Sequence, residues 1–94
     1  MGSTYVVKTT PAFERDARKL VKKNPKMGDV LEAIQAALQE DPFNLSRRHN
    51  IKTLTDVKDG EGRWRIRSGV YRLRYDVYGQ MVVLHSINHR SQAY

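Results

Sequence analysis

Residues 63–77, with the sequence RWRIRSGVYRLRYDV, alternate arginine with aromatic or aliphatic side chains. Neighbouring residues of a β-strand point to opposite faces of a sheet, so this period of two predicts strands rather than a helix. Ser68-Gly69 lies between the two halves and predicts a two-residue hairpin loop. Two antiparallel strands with one apolar face and one strongly basic face are therefore the main constraint on the fold.

This loop sets which residues face each other across the hairpin. Trp64 is expected opposite Leu73, and Ile66 opposite Tyr71, on the side that forms the core. Trp64 and Tyr71 are therefore predicted as core residues rather than as platforms for stacking bases. The other side, which we call the arginine face, is expected to pair Arg65 with Arg72 and Arg63 with Arg74, and its members are Arg63, Arg65, Arg67, Arg72 and Arg74.

Like charges placed directly opposite each other destabilise a sheet, by about a few tenths of a kcal/mol or more per pair. A solvated surface on which long side chains splay apart is one interpretation of the arginine face. The alternative is an anion site, since the planar guanidinium binds phosphate through two hydrogen bonds and stays charged at any working pH. Two cross-strand arginine pairs in one hairpin favour the anion site.

The rest of the chain predicts a helical hairpin before these strands. Residues 5–9 are typical of a first strand, and Thr10-Pro11 and Asn24-Pro25 are helix-start signals. Residues 51–57 fit either an edge strand or a loop. A last strand over about 81–87 should place Val82 and Leu84 in the core and Val83, His85 and Ile87 on the arginine face. The predicted fold class is α+β, ordered β-α-α-β-β-β, with a four-stranded antiparallel sheet and the two helices on one face.

Composition restricts the kind of protein and its partners. The 94 residues predict one domain, residues 1–94, and the chain has no cysteine, no apolar run long enough to span a membrane and no signal peptide, which fits a cytoplasmic protein. The net charge is +7, and residues 48–94 hold nine basic and four acidic residues. Such an excess is typical of proteins that meet a polyanion. His49, His85 and His89 are too scattered to predict a metal site, and we expect no cofactor.

The last residues, SINHRSQAY, bring three polar groups close to the end of the final strand. If the tail folds back over the arginine face, His89, Arg90 and Tyr94 would meet the strand arginines. Imidazole, guanidinium and phenol together suit acid–base chemistry on a phosphodiester.

The sequences GRWRIRSGVYRLRYDV and VVLHSINHRSQAY resemble the RelE/ParE superfamily of toxins from type II toxin–antitoxin systems, over nearly the whole chain. The resemblance implies a RelE-like fold and, in the RelE-like branch, cleavage of messenger RNA in the ribosomal A site. Its catalytic positions fall on Arg65, Arg67, Arg72, Arg90 and Tyr94, with His89 as a plausible acid or base. Relatives often carry lysine where this chain has Arg65 and Arg67. Residues expected to bind nucleic acid are Arg47, Arg48, Arg63, Arg74 and His85.

The same resemblance implies an acidic antitoxin partner in a toxin–antitoxin hetero-oligomer, and the ribosome and messenger RNA as further partners, with no membrane. Two alternatives remain open at this point. ParE-like members bind DNA gyrase and lack the nuclease residues. A module that binds nucleic acid or a partner protein without cleaving anything would also fit a basic sheet surface.

Overall fold

The computed structural model describes residues 4–58 and 60–89 of the chain. Over these residues the α+β class and the helical hairpin followed by a strand meander are confirmed. The elements are β1 (Val6–Thr9), α1 (Pro11–Lys23), α2 (Met27–Glu40), β2 (Ile51–Thr53), β3 (Trp64–Ser68), β4 (Tyr71–Tyr78) and β5 (Met81–His89).

Helix α1 begins where Thr10-Pro11 predicts, whereas α2 begins at Met27, two residues after the predicted Pro25, and has Lys26 rather than Asn24 at its N-cap. The Thr10 side chain caps α1 by accepting a hydrogen bond from the Phe13 N–H at 3.1 Å, and Pro11 occupies the first helical position, where no N–H is needed. Helix α2 ends at Glu40, two residues before Pro42. Each helix buries one apolar stripe, which fixes the side that packs on the sheet.

The sheet has five strands in the order β1-β5-β4-β3-β2, one more than predicted. Residues 51–53 form the additional edge strand, β2, while the rest of the 51–57 segment is loop. Strand β1 runs parallel to β5, so the prediction of a wholly antiparallel sheet is wrong at this edge. The long connection through the helices and the meander allows this parallel pairing, which a tight turn cannot make.

The predicted register of the central hairpin is also wrong, by one step of two residues. The loop is Gly69-Val70 rather than Ser68-Gly69, and the observed pairs include Arg65 with Arg74 and Arg67 with Arg72. Gly69 has a φ of 58°, as the first central residue of a type II′ turn requires. The face of each residue is unchanged, because a shift of the pairing by two residues preserves the alternation.

A β-bulge changes the second half of β5. Leu84 pairs with Tyr75 and Ser86 pairs with Arg74, which leaves His85 as an extra residue with no counterpart on β4. The extra residue reverses the alternation beyond it. Ile87 is therefore buried in the core, and its predicted position on the arginine face is wrong.

The core lies between the helices and one side of the sheet. Tyr75 is fully buried there, and its hydroxyl donates a 2.7 Å hydrogen bond to the carbonyl of Pro42. Trp64 and Tyr71 pack against this core as predicted. The buried hydrophobic residues are Phe13, Met27, Ile34, Leu38, Ile66, Leu73, Tyr75, Val82, Leu84 and Ile87. Neither α1 nor α2 has the length and apolar character required to cross a bilayer.

Candidate functional site

The arginine face lies on the side of the sheet opposite to the core. Strand alternation places the four strand arginines on this side, and Arg65 opposite Arg74 and Arg67 opposite Arg72 are direct cross-strand partners. Directly opposed residues have their Cβ atoms about 5 Å apart, so four arginine side chains leave the sheet from one small area. The prediction that Arg65 and Arg72 share a face is confirmed, although their partners are exchanged.

Two rows of side chains cross the sheet on this face. In the first, Lys52 of β2 precedes Arg65, Arg74 and Ser86. The prediction omitted Lys52 because residues 51–57 could not be assigned to a strand. It omitted Ser86 because an uninterrupted alternation would have placed that residue in the core.

The second row consists of Arg67, Arg72 and Asn88. Asn88 lies on this face because it follows the bulge. Arg67 is exposed, whereas Arg72 is half-buried and its Nε is inaccessible to solvent. The two rows together give hydroxyl and amide groups beside the arginines, a combination suited to binding the oxygens of a phosphate and a ribose.

Arg74 is held in place by the segment that leads into β3. Its Nε and Nη2 donate hydrogen bonds of 3.1 and 3.0 Å to the carbonyl oxygen of Gly62. Gly62 has a φ of 92°, and a Cβ at this position would lie 2.7 Å from Cβ of Arg74. Glycine is therefore needed here both for the backbone conformation and for the close approach to β4.

A carboxylate, Asp76, lies at one end of the arginine face. It accepts hydrogen bonds from the N–H groups of Arg63 (2.8 Å) and Gly62 (3.1 Å), and its Oδ2 lies 2.9 Å from Nε2 of His85. Burial on its own raises the pKa of Asp76, but the two backbone hydrogen bonds and His85 outweigh burial and lower the pKa below 3.8. Asp76 therefore remains charged near neutral pH.

The predicted nucleic-acid-binding residues of the 41–50 loop lie at the edge of the sheet. Arg47 and Arg48 are exposed, and Arg48 lines an open cleft of about 260 Å³ together with Arg67. The loop is braced internally, since Asp41 accepts hydrogen bonds from Leu45 and Ser46. The hydrogen bond from the Ser46 hydroxyl lowers the pKa of Asp41 most strongly, and the backbone N–H groups of Ser46 and Leu45 lower it further, which outweighs the rise caused by partial burial.

Of the predicted tail residues, His89 is the one that falls within the part of the chain that the structure describes. His89 ends β5 and pairs with Tyr71, and their rings meet edge to face with centroids 5.6 Å apart. The bulge therefore places His89 on the core side of the sheet, and its expected position beside the arginines is wrong. Arg90 and Tyr94 lie outside the described residues. Across residues 4–58 and 60–89, no group of three histidine or acidic side chains could hold a metal ion.

Comparison with known proteins identifies one matching family and several similar folds. The family described as the ParE toxin of the type II toxin–antitoxin system parDE matches residues 7–94. No curated protein sequence matches significantly.

Among solved structures, one chain of the RelBE2 toxin–antitoxin complex of Mycobacterium tuberculosis is similar, with 27% identity and a TM-score of 0.69, over 93% of this chain and 99% of that one. One chain of the archaeal RelE–RelB complex of Pyrococcus horikoshii has 22% identity and a TM-score of 0.70, over 96% of this chain and 99% of that one. One chain of the DinJ–YafQ complex of E. coli has 13% identity and a TM-score of 0.71, over 97% and 98%. The last two similarities concern the fold alone.

Proposed function

The chain belongs to the ParE toxin family of type II toxin–antitoxin systems, and from this premise we propose that it is a metal-independent endoribonuclease that cleaves messenger RNA on the ribosome. The observation that carries the proposal is the pairing of Arg65 with Arg74 and of Arg67 with Arg72 on the side of the sheet opposite to the core. Opposed like charges cost stability, and a polyanionic substrate that binds between them offsets this cost.

In this mechanism the nucleophile belongs to the substrate. The 2′-hydroxyl of a ribose attacks the adjacent phosphorus, and the 5′-oxygen leaves, which gives a 2′,3′-cyclic phosphate and a new 5′-hydroxyl end. The protein has to align the 2′-oxygen with the scissile bond and neutralise the additional negative charge of the transition state. DNA lacks the 2′-hydroxyl and is expected to remain intact.

The arginines divide these tasks. Arg72, together with Arg90, holds the non-bridging oxygens of the scissile phosphate, while Arg65 and Arg67 bind the RNA backbone and stabilise the charge that develops. Arg63, Arg47 and Arg48 extend the contact to neighbouring phosphates. In this mechanism Tyr94 stacks on a base or donates a proton.

The partner that restrains such a toxin would be an acidic antitoxin. The three similar structures are toxin–antitoxin complexes, and a net charge of +7 complements an acidic chain. We propose that the antitoxin covers the arginine face in a hetero-oligomer and keeps RNA away from it.

The test is to map the 5′ ends of transcripts after brief expression of the chain and of two variants. Arg72→Ala is expected to reduce cleavage of translated messages on the order of a hundredfold, as removal of a transition-state donor does. Arg15→Ala is the matched control, because Arg15 is an exposed arginine of α1, away from the arginine face. Undiminished cleavage by Arg72→Ala would contradict the proposal.

A second candidate is inhibition of DNA gyrase, which the assignment to the ParE family favours. A gyrase inhibitor would stop supercoiling by purified gyrase and cause double-strand breaks in cells, with messenger RNA left intact. A supercoiling assay beside the 5′-end map separates the two functions, since each predicts one positive and one negative result.

A further inference from the structure

His85 and Asp76 form a side-chain pair on the arginine face, and Ser86, the residue after His85, pairs with Arg74 across the sheet. Nε2 of His85 lies 2.9 Å from Oδ2 of Asp76, and both side chains are largely buried. His85 is the additional residue of the β5 bulge, so it and Ser86 both lie on this face. Bulges of this kind commonly re-aim a side chain beside a functional site.

The carboxylate of this pair is fixed by the backbone. Asp76 Oδ1 accepts the N–H of Arg63, and Oδ2 accepts the N–H of Gly62. A carboxylate held by two backbone amides is fixed in position, so it presents a stationary negative charge 2.9 Å from Nε2 of the imidazole. The arrangement resembles the carboxylate–histidine pair of a catalytic triad, with the ring reversed, because the carboxylate lies at Nε2 and leaves Nδ1 as the nitrogen that could move a proton.

The same glycine connects the pair to the arginines. The N–H of Gly62 binds Asp76, and its carbonyl oxygen accepts both hydrogen bonds from Arg74. The imidazole and the Arg74 guanidinium are therefore positioned from one peptide segment. A phosphate bound to the arginine face would lie beside the imidazole.

The proposed reaction requires a proton acceptor that the arginines cannot supply. A guanidinium is never deprotonated under working conditions, so Arg65 and Arg67 cannot act as bases. His89 packs on Tyr71 on the other side of the sheet, and His49 belongs to the 41–50 loop. Of the three histidines, His85 is the one that the structure describes on the arginine face.

We propose that His85 is the general base of the reaction and that Asp76 is its positioning residue, an inference that rests on the nuclease function proposed above. With Nε2 lying beside the Asp76 carboxylate, Nδ1 of the neutral ring accepts the proton of the 2′-hydroxyl as the 2′-oxygen bonds to phosphorus. The bond from phosphorus to the 5′-oxygen breaks, and the leaving oxygen takes a proton from water. The hydroxide that remains takes the proton from His85, which restores the neutral ring.

Several charged groups lie around His85 on this side of the sheet. Asp76 and Arg74 face it from β4, Lys8 lies on the same side of the neighbouring strand β1, and Arg63 precedes β3. A general base has to be unprotonated to act, so the rate of cleavage is expected to rise with pH, which a purely structural histidine would not produce.

The experiment measures single-turnover cleavage of ribosome-bound message between pH 5 and pH 9. His85→Gln is expected to lower the rate by about a hundredfold and to remove the rise with pH, while binding to the ribosome is unchanged. His85→Ala is expected to regain activity when imidazole is added to the buffer. Asp76→Asn is expected to slow cleavage and to retain a rise with pH. His49→Gln is the matched control and should behave as the unchanged chain.

The outcomes separate this inference from the function on which it rests. If the unchanged chain leaves RNA intact, the nuclease function fails, and the role of His85 fails with it. If the unchanged chain cleaves and His85→Gln keeps its rate and pH profile, the nuclease stands and the role of His85 is wrong. Loss of the rise with pH in His89→Gln, with His85→Gln unaffected, would assign the base to His89 and also overturn the inference. Melting temperatures of all variants show whether each is folded.

Discussion

The close approach of Gly62 to β4 gives a prediction that can be worked out from the structure. Gly62 and Gly60 have nearly equal positive φ values, 92° and 86°. A Cβ on Gly62 would lie 2.7 Å from Arg74 Cβ and 3.1 Å from the Tyr75 backbone nitrogen, whereas a Cβ on Gly60 would meet nothing within 4 Å. Alanine substitution at the two glycines therefore separates the steric cost from the conformational cost.

Both substitutions pay for a side chain at positive φ, about 1–2 kcal/mol. Gly62→Ala adds the cost of pushing the segment away from β4, about 1–3 kcal/mol as for an overpacked core. It also weakens two hydrogen bonds from Arg74, each worth about 1 kcal/mol. We therefore expect Gly62→Ala to lose about 2–4 kcal/mol more unfolding free energy than Gly60→Ala.

The assay is urea denaturation followed by tryptophan fluorescence, with Trp64 as the single probe. Thermal melts provide a second measurement, since each kcal/mol lowers the Tm of a small domain by about 4–8 °C. Equal losses in the two variants would show that the segment does not press on β4, and the positioning of Arg74 and Asp76 by Gly62 would then be refuted.

Three further predictions concern buried groups and charge. Tyr75→Phe should lose about 1–2 kcal/mol of unfolding free energy, measured in urea, because the Pro42 carbonyl loses its buried donor. Tyr78→Phe should lose less, because Tyr78 is exposed. Equal losses would contradict this prediction. Folding lowers the pKa of Asp76, so the stability that this carboxylate contributes is complete above the unfolded-state pKa and is lost as the pH falls through the folded-state pKa. Denaturation at several pH values should show a difference in unfolding free energy between the original chain and Asp76→Asn that is constant above about pH 5 and smaller below it. A difference that grows in acid would contradict this prediction. Arg67→Ala should reduce the slope of log affinity for single-stranded RNA against log salt concentration by about 0.7, one phosphate contact, whereas Arg15→Ala should leave the slope unchanged.

Much of the fold follows from local rules that the sequence states directly. Thr10-Pro11 and Pro42 mark helix ends because capping and the missing proline N–H act within a few residues. The alternation in residues 63–77 assigns each side chain to a face whatever the register, since the hairpin register changes in steps that preserve alternation. The clustering of Arg65 and Arg72 on one face was therefore predictable from the sequence.

The parts that were not predicted depend on particular turn and bulge geometries. A type II′ turn needs glycine at its first central position, so Gly69-Val70 rather than Ser68-Gly69 was the better reading of the loop. The bulge at His85 has a weaker signal: Leu84 and Ile87, both buried, are three residues apart, which no regular strand allows on one face. Because this spacing was not recognised, Ile87 and His89 were predicted on the arginine face, and Ser86 and Asn88 were not predicted there.

The pairing of His85 with Asp76 was beyond the reach of sequence reasoning for a different reason. His85 was assigned to the arginine face, and the alternation of residues 63–77 places Asp76 there too. Contact between them, however, depends on how far the bulge turns β5. Lys52 was missed because a three-residue edge strand carries too little pattern to be distinguished from a loop. Long-range pairings of this kind are set by the whole sheet rather than by any local segment.

The position of β5 in the middle of the sheet has a consequence for synthesis of the chain. This strand lies between β1 and β4 and contributes Val82, Leu84 and Ile87 to the core, yet it is translated after the other strands that the structure describes. Chains grow from the amino terminus, and contacts between distant segments form late in folding. A growing polypeptide whose β5 is still inside the ribosome therefore cannot assemble the surface on which the proposed toxicity depends.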